Sequence, residues 1–534
     1  MLARTSRWID VLFATRRRPA IVCLVCALVV FGVESIAWPL AYGRDGSTYL
    51  IYYADMWHRH PAFPALMLYR MPLAPLVYGP LLQLGGPLLA EAAMGVAYAA
   101  SILAFATAAL EFGRLAAVVT ALALLVHPGY GALFHELSSD PVFGLVFAFW
   151  TLALVRALRR PSAKQFLLVG VLYFLLVLSR PGSQVLLVFA LVPLLLRAPW
   201  GRRLVWAGAA LGASVALLAL WSGYNDVRYG SFVVARAGWA NVPFYRVFYL
   251  DKLVRTENGP ASRELAAAVQ RDLLTKTPYR QLGVKTPDQY FAIASDHMWS
   301  DVVWITDREW GWHSDYAILR RVSIEGIRTH FHRYARSVAA GVWDELRYPY
   351  VWNAPQVAPP PGTTPAPAAA APPKPVPKSS PDYGGRYSWL ASTPSGRPPV
   401  PSRVARVTRR LAALDHDIPE RSGSATFARA LNRISRVYPW AIIWIVVGVV
   451  ALVVRRPRGS LMLFTVGLLA LLLIVFTELG EPPGLEYGLP VVPAFILGAV
   501  AAITGVRGEQ RVGLRLARPL SARLLTRGRS QPPA

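Results

Sequence analysis

Residues 20–50 read AIVCLVCALVVFGVESIAWPLAYGRDGSTYL: about twenty apolar residues, followed at once by the polar turn Arg44-Asp45-Gly46. An apolar run of that length suits a helix crossing a hydrocarbon layer about 30 Å thick. Similar runs recur along the chain, which has 534 residues, is 54% hydrophobic and has a mean hydropathy of +0.37. The reading is an all-α polytopic membrane protein with about ten or eleven transmembrane helices. Ten spans fall near 20–41, 86–110, 115–133, 141–158, 165–179, 182–197, 204–222, 439–454, 460–476 and 488–506. The stretch 314–348 reads either as a helix lying on the membrane or as an eleventh span. The first run is longer than a signal-peptide core and reads as a retained anchor.

A net charge of +26 would suit nucleic acid only if the basic residues gathered on one soluble face, and they do not. Fifty of the 56 are Arg, a bias expected of a GC-rich bacterial coding sequence, so nucleic acid is not a partner. The basic residues instead mark one side of the membrane, because short cytoplasmic loops carry the excess of Lys and Arg. Arg16 to Arg18, Arg156 to Lys164, Arg197 to Arg203 and Arg455 to Arg458 lie in alternate loops, and seven more Arg follow residue 506. The segments 42–85, 135–140, 179–184, 223–438 and 477–488 are then expected outside, on a bacterial cytoplasmic membrane. Cys23 and Cys26 both fall in the first span, so they suggest no disulfide framework or metal cluster.

This sorting divides the chain. Residues 1–222 form an N-terminal transmembrane module with the first outer loop, and 223–350 a helix-rich region with helical patterns at 261–274 and 314–346. Residues 351–403 are a Pro-rich linker, since 355–401 alone hold fifteen of the 44 prolines. A juxtamembrane segment at 404–438, a C-terminal transmembrane module at 439–506 and a basic cytoplasmic tail at 507–534 complete it. There is no internal repeat of the kind common in transporters.

Asp45, Glu136, Asp140, Arg180, Glu478, Glu481 and Glu486 come from separate loops, yet all are expected at one face, where a single polar site could collect them. Asp45 suits either a helix N-cap or a general base flanked by Arg44. The residues after it, 49–60, read as an amphipathic helix lying in the interface. The prolines of 68–80 predict an irregular path, and Arg70 within it is either a snorkelling side chain or an anion ligand. Arg180 interrupts an apolar run from 166 to 196, as a turn residue reaching water or as a fork for a phosphate. Glu136 and Asp140 either cap the fourth span or, with His127 or His135, hold a divalent cation. Their spacing is not that of a metal-binding helix. Glu486 is a further candidate for acceptor or metal contact, and whether the protein uses a metal cofactor stays open. Glu34, inside the first span, is expected to pack inward.

Six stretches taken in order resemble a known class: GRDGSTYLIYYADMW, YRMPLAP, HELSSDPVFGLVF, LSRPGSQVLL, YNDVRYGSFVVARAGWANVPFY and EYGLPVVPAFIL. They are similar to the GT-C polytopic glycosyltransferases, more narrowly to bacterial members related to protein O-mannosyltransferases and lipid A aminoarabinose transferases. The resemblance implies a GT-C-like bundle. It also implies transfer of a sugar from a polyprenyl-phosphate donor, in contact with membrane lipid, to a glycan, lipid or protein acceptor. Transfer would occur on the outer face, with inversion. The family's catalytic aspartate falls on Asp45. Its first-loop basic residue falls on Arg70, although relatives often have Lys-Pro-Pro where this chain has Arg-Met-Pro. Tyr69 replaces an acidic residue of several relatives, and Gly46 stands where many protein mannosyltransferases have Glu. Arg44, Arg70 and Arg180 would bind the donor phosphate, which leaves as an anion and needs cationic donors. Two other functions compete. A lipid flippase or secondary transporter predicts charges near mid-membrane, and a cell-wall polymer ligase or polymerase would use outer arginines without needing Asp45.

Overall fold

Helices form wherever an apolar run is free of turn residues, and they stop where Pro or Gly intervenes. The computed structural model describes residue 13 and residues 17–505, except 44, 237, 239, 276–278, 281–282, 312–313, 349–401, 416–417, 419–422, 456, 458 and 481–486. The Pro-rich stretch up to residue 401 and the basic tail therefore lie outside the described residues, as do Arg44, Glu481 and Glu486.

Among the described residues, six helical stretches are long and apolar enough to cross a membrane: Arg17–Ala37 (α1), Leu73–Leu110 (α4), Ser139–Arg159 (α7), Trp200–Tyr229 (α9), Ala425–Arg455 and Ser460–Gly480 (α19). Four shorter apolar ones are Arg114–Leu125 (α5), Ala163–Ser179 (α8), the 3-10 segment Pro181–Leu195 and Leu489–Thr504, mostly α20 (Val492–Thr504). These ten match the ten expected runs in order. The third is cut short because Pro128 begins a separate helix, Pro128–Leu133 (α6), capped by His127. The stretch Ala425–Arg455 bends at residues 438–440, which separate Ala425–Val437 (α17) from Ala441–Arg455 (α18).

The structure refines three readings. Residues 314–348 hold two helices, Ala317–Thr329 (α14) and Phe331–Arg347 (α15), broken at His330, and neither is a span. The prolines of 68–80 leave the chain irregular only at residues 70–72, between helices ending at Tyr69 and starting at Leu73. Pro72 and Pro75 sit at the start of α4, where a missing N–H is harmless, and the break comes later at Gly85–Gly86, where Gly86 takes φ 63°. The helix after Asp45, Gly46–Met56 (α2), does not lie open in an interface: Thr48 to Asp55 are all buried. Helix Ser402–Asp415 (α16) packs over α2, and Arg410 donates to the Ala54 carbonyl at 3.1 Å. The Asp55 carboxylate turns inward to accept from the Ala62 and Phe63 N–H groups, which start Pro64–Tyr69 (α3).

A second hydrophobic cluster lies apart from the bundle, in residues 240–338, and forms a cap layer. Here Pro260–Asp272 (α11), Pro287–Ile293 (α12) and Asp296–Trp310 (α13) pack with α14 around Phe244, Phe248, Leu265, Val269 and Tyr290. The cap is joined to the bundle through Arg246. This buried guanidinium meets Asp251 at 3.3 Å and Glu478 of α19 at 3.1 Å, while Ser337 bridges to Asp251 at 2.6 Å. A buried charge requires such partners.

Candidate active site

The first loop is held by a minimal parallel ladder, Ala41–Tyr42 (β1) against Glu136–Leu137 (β2), with Ala41 opposite Glu136 and Tyr42 opposite Leu137. The ladder sets Asp45, just beyond β1, beside Ser139 and Asp140, just beyond β2. The loop is wedged tightly. A Cβ at Gly43 would meet the Glu136 side chain at 2.7 Å, and one at Gly46 would meet the Leu137 carbonyl oxygen at 2.3 Å. Any side chain at position 46 would require this backbone to move.

Asp45 resolves one alternative. It has φ 60°, ψ 10°, a left-handed conformation that Asp tolerates better than most residues, and its side chain makes no capping hydrogen bond. Its main-chain carbonyl starts α2 instead, accepting from Thr48 N at 2.9 Å and Thr48 Oγ1 at 2.7 Å. The carboxylate is left to meet Arg70, whose Nη2 stands 2.8 Å from Oδ2, with the two side chains 21% and 18% exposed. Arg70 is the residue that ends α3, and its guanidinium lies 5.0 Å from the centre of the Tyr69 ring and 5.9 Å from that of Tyr49. It is thus tied to the loop rather than snorkelling.

A second pair stands beside the first. Arg180 ends α8, and its Nη2 lies 2.6 Å from Asp140 Oδ1 in the first turn of α7. It also donates to the Tyr487 carbonyl at 3.1 Å and lies over the Tyr487 and Phe143 rings at 4.8 and 5.3 Å. That is more contact than a turn arginine reaching for water would have. Ser138, not Glu136 or Asp140, supplies the N-cap of α7.

Both pairs line one cavity of about 480 Å³ between the bundle and the cap. Its bundle wall includes Asp45, Tyr49, Arg70, Asp140, Arg180 and Gln184, while the cap contributes Arg236, Arg320 and Tyr334. Arg236, 3% exposed, lies 3.5 Å from Asp307 and 3.6 Å from Asp315. Burial pushes the Asp307 carboxyl above its ordinary range, and the neighbouring Arg236 only partly offsets this.

Not every expected residue joins the site. Glu136 is buried behind the loop and does not line the cavity, and Glu478 is committed to Arg246. Glu34 is buried as expected, facing His135 at 4.0 Å, with Glu91 on the other side of the ring at 3.9 Å. Among the described residues, no group of three His, Cys, Asp or Glu side chains is arranged to hold a metal ion, so the His127 or His135 cation site is not formed. Arg236 and Arg320 were missed by sequence reasoning. Arg236 sits in a quoted family-like stretch, but only the folded cap brings either arginine to the cavity.

The family model of dolichyl-phosphate-mannose-protein mannosyltransferase matches residues 88–223. That stretch runs from α4 to α9, includes Asp140 and Arg180, and stops short of Asp45 and Arg70. Over that stretch the chain is similar to this family. No curated protein matches the chain. Two crystal structures of ArnT from Cupriavidus metallidurans are similar at low level. The apo form is 15% identical, covering 90% of this chain and 77% of its own, with a TM-score of 0.33. The form bound to undecaprenyl phosphate is 16% identical, covering 91% and 78%, with a TM-score of 0.32.

Proposed function

We propose that this protein transfers a sugar from a polyprenyl-phosphate donor to a hydroxyl or similar nucleophile of an acceptor, with inversion, outside the bacterial cytoplasmic membrane. The observation that carries the reading is the placing of two carboxylate–guanidinium pairs, Asp45 with Arg70 and Asp140 with Arg180, on one wall of one cavity. The matched family, named for a dolichyl-phosphate sugar donor, supports the donor class.

In this mechanism Arg70 and Arg180 turn from their carboxylates to the donor phosphate, as fork-shaped donors matched to that group. The acceptor oxygen attacks the anomeric carbon from the side opposite the phosphate. As that bond forms, the bond to the phosphate oxygen breaks, and polyprenyl phosphate leaves as an anion held by the two arginines. Asp45, released from Arg70, takes the acceptor's proton. Asp140 holds Arg180 at the cavity wall until the donor binds, and the Tyr487 carbonyl retains the guanidinium there afterwards. The charged lining stands at the ends of α7 and α8 rather than mid-helix, which favours a catalytic face over a carrier pathway. The loop-by-loop excess of Arg supports the outward orientation.

The test is to incubate purified full-length protein with a panel of polyprenyl-phosphate sugars and follow free polyprenyl phosphate. Release dependent on one sugar and on Asp45 is expected. No release from any donor, with or without added envelope extract, would sink the reading.

A further inference from the structure

Behind the first loop the bundle holds a cluster of ionisable side chains that the mechanism above does not use. His135 lies between two carboxylates from different helices, with Nε2 4.0 Å from Glu34 Oε2 of α1 and Nδ1 3.9 Å from Glu91 Oε1 of α4. All three residues are buried. Phe31 of α1 stacks on the imidazole, with ring centres 4.1 Å apart and planes 9° apart. Gly131 of α6 makes room for Glu34, because a Cβ there would overlap its carboxylate. A neutral imidazole has one N–H and would set its lone pair against the other carboxylate, whereas the imidazolium presents a donor to each. The place of the ring between two buried carboxylates therefore suits the cation, and a buried charge needs such partners.

The same histidine begins the ladder that places Asp45. The His135 carbonyl accepts from the Ala41 N–H at 3.0 Å, and Glu136 and Leu137 follow it as β2. From the other side, the Trp38 N–H donates to the Glu34 carbonyl at 2.8 Å as α1 ends, and β1 starts at Ala41. The segments entering the two strands are thus tied through one ring. We propose that His135 is a positioning residue: as an imidazolium held by Glu34 and Glu91, it fixes β2 against β1 and so keeps Asp45 beside Asp140, without touching either substrate. The inference rests on the glycosyl-transfer reading above. Loss of the proton would leave two carboxylates facing a neutral ring, so the triad is whole at lower pH and the ladder loosens as pH rises through the titration of His135. The other titratable side chains around the triad are Tyr98 of α4, packed on Phe31 at 6.0 Å, Tyr130 of α6, packed on Phe134 at 5.5 Å, and Glu136, which lies against Gly43. A tyrosine is ordinarily neutral below about pH 10.

Two measurements on purified full-length protein test this, one of them without substrate. Hydrogen exchange over residues 38–46, corrected for the intrinsic rate at each pH, reports protection of the Ala41 amide, whose acceptor is the His135 carbonyl. Protection should be high at pH 6 and fall at alkaline pH. Glu34→Gln and Glu91→Gln each remove one of the two charges holding the imidazolium, and should move that fall to lower pH by about one unit or more. His135→Gln should lower protection about tenfold at pH 6 and abolish its pH dependence. In the donor-release assay the alkaline limb of kcat should move with the protection in each Glu variant, while the donor KM stays within about threefold. Unchanged pH profiles of protection in Glu34→Gln and Glu91→Gln would overturn the proposal, and these two variants decide it if His135→Gln does not fold. Lost protection with an unmoved kcat profile would overturn the positioning role. If no donor is turned over, the glycosyl-transfer reading fails and the link to Asp45 with it, while the exchange profiles still show whether the triad fixes the ladder.

Discussion

Arg70 Nη2 stands 2.8 Å from Asp45 Oδ2, joining two distant parts of the first loop on the lining of the cavity. The pair keeps a carboxylate at a partly sheltered position without employing it as a helix cap. A capping Asp has its oxygens committed to backbone N–H groups. This one is committed to a cation that a phosphate can draw away.

Asp45→Asn therefore separates the two roles. The left-handed backbone suits Asn as well as Asp, so insertion and abundance should stay near wild type. Transfer should fall by roughly two orders of magnitude or more, the scale of a lost general base. Near-normal turnover in a donor-release assay would reject the assignment.

Arg180 and Asp140 are expected to act together on the donor. Arg180→Ala should raise the donor KM or lower kcat/KM roughly ten- to hundredfold, and weaken inhibition by free polyprenyl phosphate in parallel. Arg180→Lys keeps the charge without the fork and should recover only part. Asp140→Asn should give a smaller donor defect, because the Tyr487 carbonyl and the Phe143 ring still hold the guanidinium. Unchanged donor kinetics and unchanged product inhibition in Arg180→Ala would return this residue to a structural role.

Orientation is open to direct chemistry. In a background lacking Cys23 and Cys26, single cysteines placed at 164 and 380 should label from opposite sides, with 380 reached from outside. Labelling of position 380 from the cytoplasm would invert the proposed active-site face.

The Pro-rich stretch is expected to be a tether, so deletion of residues 362–378 should change turnover by less than a few-fold. Its composition cannot bury a core. Loss of activity or of folded protein on deletion would mean that the stretch contributes more than length.

The cap layer should respond to pH through Asp301. This carboxyl is fully buried beside Tyr279, and burial pushes its pKa from 3.8 up to about 8, the Tyr279 hydroxyl opposing the shift. A raised folded-state value means that the folded cap holds a proton the unfolded chain has released between about pH 4 and 8. Cap stability should therefore decline as pH rises through that window, and Asp301→Asn should flatten the slope. Hydrogen exchange of α11 to α13 at pH 5, 7 and 8.5 would report it. An identical slope in the variant would refute the role of Asp301.

What the sequence determined by itself was local. Span positions follow from the hydropathy of short windows, so all ten apolar runs are found as helices where they were expected. Asp45, Arg70 and Arg180 were also picked out as candidates, because a charged side chain at the end of an apolar run stands out, although each kept a structural alternative. The partner of each charge was decided only by tertiary structure, since pairing depends on loops far apart in sequence. The β1–β2 ladder sets Asp45 beside Asp140, and Arg180 meets Tyr487 across more than three hundred residues. The same packing withdrew α2 from the interface by laying α16 over it, and sent Glu478 to Arg246 instead of the cavity. It also carried Arg236 and Arg320 to the cavity on a cap whose own core, built from half-polar helices, has no strong signature in any short window.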